Sequence, residues 1–273
     1  MLQSPAILVV VQARMTSSRL PGKVLLPLLG EPLLVRMVER LRMAETPFQI
    51  VVATSTDPAD DILETICRDY RIECFRGDRD DCLDRHYRVA VQYSADIVVK
   101  IPSDCPLIDP RIIDQVLGVY LANPDRYDFV SNLHPPTWPD GNDVEIMTLD
   151  CLKATWQEAT KPLEREHTTP YIWDRPGRFR IGNVVWSTGL DYAMSHRFTI
   201  DYPADYKFIE QVFLELYPEN AAFSCEDIVD LLERQPEIYR LNADYAGVNW
   251  YRHHLNELNT VSADQTKQVA GNP

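Results

Sequence analysis

The first half of the chain alternates short, wholly apolar runs with segments whose apolar residues recur every three or four positions. Residues 7–11 are unbroken apolar and stop at Gln12. Leu33, Leu34, Met37, Val38 and Leu41 repeat at helical spacing behind Glu31-Pro32, which places proline in a first helical turn. Residues 50–53 predict a short buried strand. Asp57-Pro58 opens a helix expected to bury Ile62, Leu63 and Ile66. A strand near residues 72–75 follows, then a helix facing inward with Leu83, Tyr87, Ala90 and Val91. Residues 97–101 predict a strand ending at Pro102-Ser103-Asp104, and Asp109-Pro110 caps a helix with Ile112, Ile113, Val116 and Leu117 inward. Strands separated by helices of this length imply a largely parallel sheet with helices on both faces.

The second half is less regular. Residues 134–141 form a loop dense in proline and aromatic residues. Residues 148–160 and 164–173 read as helices, and 179–186 and 197–200 as strands. Tyr202-Pro203 leads into a helix with Phe208, Ile209, Val212, Phe213 and Leu216 on its core face. A further helix over 224–233 starts at a Ser224 cap with Asp227 three residues on. The stretch 259–273 is polar and aperiodic and is expected to be disordered. No internal repeat and no linker divides the rest, so residues 1–258 read as one domain.

Composition changes this picture little. With 273 residues, 45% apolar and 25% charged, the chain is an ordinary globular sequence long enough to bury a core without staples. No apolar run approaches the ~18 residues of a membrane span, no signal peptide is visible, and the scattered cysteines suit reduced thiols in a cytoplasmic protein. The net charge of −14 argues against nucleic acid as a partner, since phosphate contacts need a basic footprint. The six cysteines show no C-x-x-C pair, so they read as reduced thiols rather than a zinc site. Cys105 reads as a small buried residue rather than a nucleophile. The five tryptophans read as core or dimer-interface anchors.

The informative chemistry follows the first strand. Gln12-Ala13-Arg14-Met15-Thr16-Ser17-Ser18-Arg19-Leu20-Pro21-Gly22-Lys23 is a basic loop closed by a Pro-Gly turn. Fixed cations at the end of a buried strand suit a polyphosphate. The spacing is neither the G-x-x-x-x-G-K-[ST] P-loop nor a G-x-G-x-x-G dinucleotide fingerprint. A solvated basic loop is the plainer alternative. The whole segment resembles the signature of the cytidylyltransferases of the spore-coat-polysaccharide type, related more distantly to the synthetases that activate acidic sugars with CMP.

That resemblance extends through most of the first 210 residues. It implies a three-layer, Rossmann-like nucleotide-diphospho-sugar transferase fold, with a small sugar-binding and dimerisation insert in residues 134–200. It assigns Arg14 and Lys23 to the triphosphate of CTP, in a nucleotide site with Gln12 and Ala13. In the segments 75–78 and 81–85 it makes Arg76 and Arg85 candidate base or ribose contacts. In 100–110, Asp104 lies just past a central strand, where such folds bind ligands, and a hard carboxylate there suits Mg²⁺. The resemblance makes Asp104 a metal ligand and a catalytic residue with Arg14 and Lys23, while Asp109 reads as a helix cap. The segment 140–145 offers Glu145 as a sugar contact, although the family often has Leu at the position of Asn142. The E-R-E-H-x-T-P pattern at 164–170 and R-x-T-I-D-x-P at 197–203 add His167 and Arg197 as sugar contacts and Asp201 as second metal ligand. His167 reads equally as a structural histidine and Asp201 alternatively as a helix cap.

The expected reaction is transfer of CMP from CTP to a sugar hydroxyl with release of pyrophosphate, dependent on Mg²⁺, in a homodimer. The sugar, acidic or amino, is left open. Two other classes stay possible: a metal-dependent glycosyltransferase of related fold, which needs fewer cations than the 14–23 loop supplies, and a non-catalytic nucleotide-binding protein.

Overall fold

The structure, a computed structural model, describes residues 4–267. Its strands are β1 (Ile7–Gln12), β2 (Pro27–Leu28), β3 (Glu31–Pro32), β4 (Gln49–Ser55), β5 (Glu73–Gly77), β6 (Ile97–Pro102), β7 (Phe129–Ser131), β8 (Glu145–Thr148) and β9 (Ile181–Asn183). Its α-helices are α1 (Leu33–Leu41), α2 (Asp61–Asp69), α3 (Cys82–Gln92), α4 (Pro110–Leu121), α5 (Leu149–Glu158), α6 (Pro162–His167), α7 (Pro170–Trp173), α8 (Pro203–Leu216), α9 (Cys225–Arg234) and α10 (Pro236–Tyr239).

Seven strands form one sheet in the order β5-β4-β1-β6-β8-β7-β9, and β2 and β3 pair as a small separate ribbon. The four strands β5, β4, β1 and β6 are parallel, β8 runs antiparallel to both neighbours, and β9 is parallel to β7. The sheet is therefore mostly parallel, as the βα alternation predicts. Leu8 and Val10 of β1 face one apolar layer and Ile7, Val9 and Val11 the other, which is why that strand is apolar at every position.

The order of strands places the site. From β1 the chain winds outward to β4 and β5, then returns to build β6 on the other side of β1. The loops leaving β1 and β6 therefore diverge, and a crevice opens at their carboxyl ends. Ser103 N–H donates to Gln12 O at 3.3 Å across that crevice.

Several local expectations are corrected. Glu31 and Pro32 pair in β3, and the first helix begins one residue later at Leu33. A short 3₁₀ turn precedes α2, which rotates Ile62 outward (43% exposed) and buries Cys67 instead. Val91 is likewise exposed, with His86 and Val89 inward. The helix expected over 164–173 is two helices, α6 and α7, broken at Thr168 with its φ of 72°. The strand expected over 179–186 shrinks to β9, and residues 197–200 form only a single bridge between Arg197 and Asp140. Residues 259–267, expected to be disordered, are hydrogen-bonded: Asn259 and Thr260 to Asp174, and Lys267 N to Gly247 O. Residues 268–273 of that stretch lie outside the described residues. No helix among the described residues is long and apolar enough to cross a membrane.

Candidate active site

A cavity of about 450 Å³ opens at the carboxyl ends of β1 and β6. The loop after β1 forms one wall. Gly22, with φ of 72°, makes the turn that closes this loop, its N–H donating to Met15 O at 2.9 Å. Asp60, at the start of α2, accepts Met15 N–H at 2.7 Å and pins the loop to the sheet. This geometry delivers Lys23 to the floor of the cavity, 8% exposed.

All three N–H donors of the Lys23 ammonium are used: on Asp104 Oδ2 at 3.0 Å, Asp201 Oδ1 at 2.9 Å and Ile200 O at 2.7 Å. Burial alone would lower the Lys23 pKa, but the two carboxylates outweigh it and hold it above its ordinary value. Asp201 is also bound by Arg19 at 2.7 Å and Arg197 at 3.0 Å. Burial works against the Asp201 anion, yet Lys23, Arg19 and Arg197 together hold its carboxyl well below the usual range. Asp104 has no such excess. Its side chain is 30% exposed, and its second oxygen meets only the Cys105 thiol, at 3.8 Å.

Arg197 lines the cavity but offers it nothing. Its five N–H donors go to Asp205 (3.0 and 3.3 Å), Asp140 (3.0 Å), Asp201 (3.0 Å) and Val248 O (3.3 Å). It is a buried organiser of carboxylates. Glu145, at the start of β8, is 2% exposed, ion-paired to Lys100 and bonded by the Thr169 hydroxyl at 2.6 Å. Asp143 stands apart from this pairing: burial, then Asp140 and Asp104, push its pKa up to about 8. Burial also pushes Asp140 up to about 6 despite Arg197.

Of the residues singled out in the sequence, Gln12, Arg14, Lys23, Asp104, Glu145, His167, Arg197 and Asp201 line this one cavity. Arg14 is half-exposed beside Glu166 at 3.2 Å. His167 stacks on Trp250 with ring centroids 3.7 Å apart; burial and then Lys100 lower its pKa to about 3. Three candidates do not line the cavity. Ala13 is buried, and its N–H donates to Ala53 O. Arg76 pairs with Asp61 and Glu64 and donates to Ser55 O, tying β5 to the start of α2. Arg85 is buried, its guanidinium donating to Asp78 O and Arg79 O, so it shapes the turn before α3.

Lys100, to which sequence reasoning gave no role, lines the cavity, as do Arg19, a cation of the basic loop, and Asp140 and Asp143 of the acidic 140–145 segment, none of which was singled out individually. Lys100 carried a signal: it interrupts an otherwise apolar buried strand. Asp140 and Asp143 carried only that of an acidic loop.

A divalent cation is the cofactor this chemistry implies. Among the described residues no group of three or more His, Cys, Asp or Glu side chains is arranged to hold an ion. Asp104 and Asp201 nevertheless converge on one cationic point, the Lys23 ammonium. Two carboxylates suffice for a small hard ion that takes its other ligands from water and phosphate, so Asp104 and Asp201 are the residues here that would hold one.

Residues 8–245 match the sequence profile of the family described as Cytidylyltransferase. The chain is 30% identical over 236 residues to the spore coat polysaccharide biosynthesis protein SpsF of Bacillus subtilis, covering 85% of this chain and 95% of that protein. A solved cytidylyltransferase structure from Leptospira borgpetersenii is 32% identical, with a TM-score of 0.78 over 86% of this chain and 95% of that one. The fold also resembles that of CMP:2-keto-3-deoxy-manno-octonic acid synthetase complexed with CTP, with a TM-score of 0.59 at 19% identity over 77% and 99% of the two chains. A basic loop after β1, an aspartate after β6 and the matched sequence together identify the chain as a nucleotidyltransferase, a member of the cytidylyltransferase family.

Proposed function

We propose that this protein transfers CMP from CTP to a sugar hydroxyl and releases pyrophosphate, supplying an activated sugar for a surface polysaccharide. The observation that carries the reading is the convergence of Lys23, Asp104 and Asp201 at the switch point of the sheet, in a cavity that Arg14 also lines. Gln12 and Arg14 border the nucleotide. The acceptor oxygen attacks the α-phosphorus, the bond to the β-phosphate oxygen breaks, and the electron pair leaves with pyrophosphate. Arg14 and Lys23 hold the charge that grows on that leaving group, so catalysis is mostly positioning and electrostatics. Mg²⁺, when bound through Asp104 and Asp201, supplies additional positive charge at the phosphates. Arg19 and Arg197 keep Asp201 ionised and aimed.

Glu145 and His167 border the sugar half, and Arg197 acts there through the carboxylates it positions. Arg85 acts on the nucleotide indirectly, by holding the turn that precedes α3, and Arg76 by tying β5 to the start of α2. A homodimer through part of residues 134–200 is the expected assembly.

The test is pyrophosphate release with each of the four nucleoside triphosphates, Mg²⁺ and a panel of acidic and amino sugars. Release with CTP alone, dependent on one sugar, is expected. Equal use of all four nucleotides overturns the reading, and sugar transfer from a nucleotide-sugar without CTP replaces it with glycosyl transfer.

A further inference from the structure

The match to the family ends at residue 245, yet the cavity does not. Val248, Asn249, Trp250, Tyr251, His253 and His254 all line it. They belong to a segment that leaves the domain after Tyr245 and folds back over the cavity. Its two ends are joined to each other: Lys267 N–H donates to Gly247 O at 2.7 Å, and Tyr251 Oη and Asn249 Nδ2 donate to Gln265 O at 2.8 and 3.1 Å. Its middle is tied to the rest of the chain by Asp174, which accepts from both backbone and side chain of Asn259 and Thr260, at 2.7 to 3.0 Å. Leu258 is buried against the layer that contains Trp173.

The strap adds Trp250 to the aromatic rings of His134, Trp138, His167 and Trp173 that already line the cavity. Trp250 stacks on His167, meets Trp173 edge-on at 6.4 Å and lies 5.9 Å from the His254 ring. Both rings of the His167–Trp250 pair line the cavity, as do the carboxylates Asp140, Asp143 and Glu145. His167 is uncharged at neutral pH, so the pair is a flat, neutral surface. An apolar plane within reach of hydrogen-bonding carboxyl groups is the chemistry that recognises a pyranose: ring C–H groups pack on the aromatic face while ring hydroxyls hydrogen-bond to the carboxyl groups.

We propose that the strap 247–267 is the specificity element for the acceptor, with Trp250 as the residue on which a pyranose packs. The proposal rests on the cytidylyltransferase reading and goes further by assigning the acceptor contact to residues beyond the family region. Trp250 acts on the sugar directly. Asp174, which does not line the cavity, is a positioning residue that holds the strap in place.

The experiment uses the full chain and compares wild type with Trp250→Ala, Trp250→Phe and Asp174→Ala. CTP binding is measured by calorimetry. Binding of N-acetylneuraminate, 3-deoxy-manno-octulosonate, glucosamine and N-acetylglucosamine is then measured by saturation-transfer NMR at saturating CTP. At least one pyranose is expected to bind wild type. Trp250→Ala should weaken it about 10-fold, the equivalent of one aromatic packing contact. Asp174→Ala should weaken it similarly, Trp250→Phe should restore most of it, and CTP affinity should stay within about twofold in all three. The inference is overturned if CTP binds but no panel sugar does, if the sugar binds equally to wild type and Trp250→Ala, or if CTP affinity falls as far as sugar affinity. Failure of wild type to bind CTP overturns the underlying reading instead.

Discussion

Arg197 and His86 show how single side chains set the properties of this molecule. Arg197 holds Asp140, Asp201 and Asp205 together in a site that is 1% exposed at the guanidinium. Breaking a buried ion pair by removing one partner leaves uncompensated charge, at a cost of about 3–5 kcal/mol. Arg197→Met should lose stability of that order in urea unfolding; a change under ~1 kcal/mol would mean that water or other cations compensate the three carboxylates. His86 is buried, with no partner for Nε2, and burial lowers its pKa to about 3. The unfolded chain, with an ordinary histidine near pH 6.5, binds more protons than the folded one between those values. His86 therefore costs no stability above pH 6.5 and about 1.4 kcal/mol per pH unit as pH falls from there toward 3. His134, lowered by burial to about 4, adds to the same slope. Urea midpoints across pH 7 to 4 should fall less steeply for His86→Gln than for wild type; equal slopes would show that His86 is solvated.

At the scale of elements, the loop between β7 and β8 decides whether the acidic wall exists. Gly141 has φ of 110°, and a Cβ there would lie 2.6 Å from Phe198 C and 2.7 Å from Thr199 N. Both are backbone atoms, which cannot rotate away. Gly141→Ala should therefore cost on the order of 1–3 kcal/mol and shift Asp140 and Asp143, which flank it. Thermal unfolding with and without CTP would read both effects: lower stability together with weaker CTP binding is expected, since the 197–200 backbone displaced by the new Cβ presents Ile200 O to Lys23. This close approach explains why residues 197–200 are not a strand. Their backbone is used to pack against the 140–143 loop and to present Ile200 O to Lys23. Helix α1 needs no such context. Its apolar spacing alone orients Leu33, Leu34, Met37, Val38 and Leu41 into the core, where all five are buried.

For the whole molecule, the crevice between the β1 and β6 loops gathers Lys23, Asp104 and Asp201, the groups on which the proposed reaction depends. Without ligand, Lys23 satisfies Asp104 and Asp201. Saturating CTP with Mg²⁺ should raise stability by about 2.7 kcal/mol at a hundredfold excess over Kd. Asp104→Asn should remove the part that depends on Mg²⁺ while leaving the part from CTP alone, read as melting temperature with and without a chelator. An Mg²⁺-dependent increment that persists in Asp104→Asn would exclude Asp104 as the ligand.

What could be read from the chain alone was whatever depends on local order along it. The apolar runs of β1, β4 and β6, the helical spacing of α1, α4 and α8, and the Ser224 cap all act through neighbours in sequence, so the mostly parallel sheet was legible. So was the meeting of Arg14, Lys23 and Asp104 at one cavity, because each follows a strand end within a contiguous motif. Tertiary structure decided the rest, because it depends on groups brought together from distant segments. It spent Arg197 on three aspartates, kept Arg76 and Arg85 off the cavity, and set Lys100 against Glu145. It also broke the 164–173 helix at Thr168 and folded residues 247–267 back to place Trp250 on His167. Charge partners and aromatic stacks of this kind leave no periodic trace in a sequence, since the pairing is made in space by residues tens of positions apart.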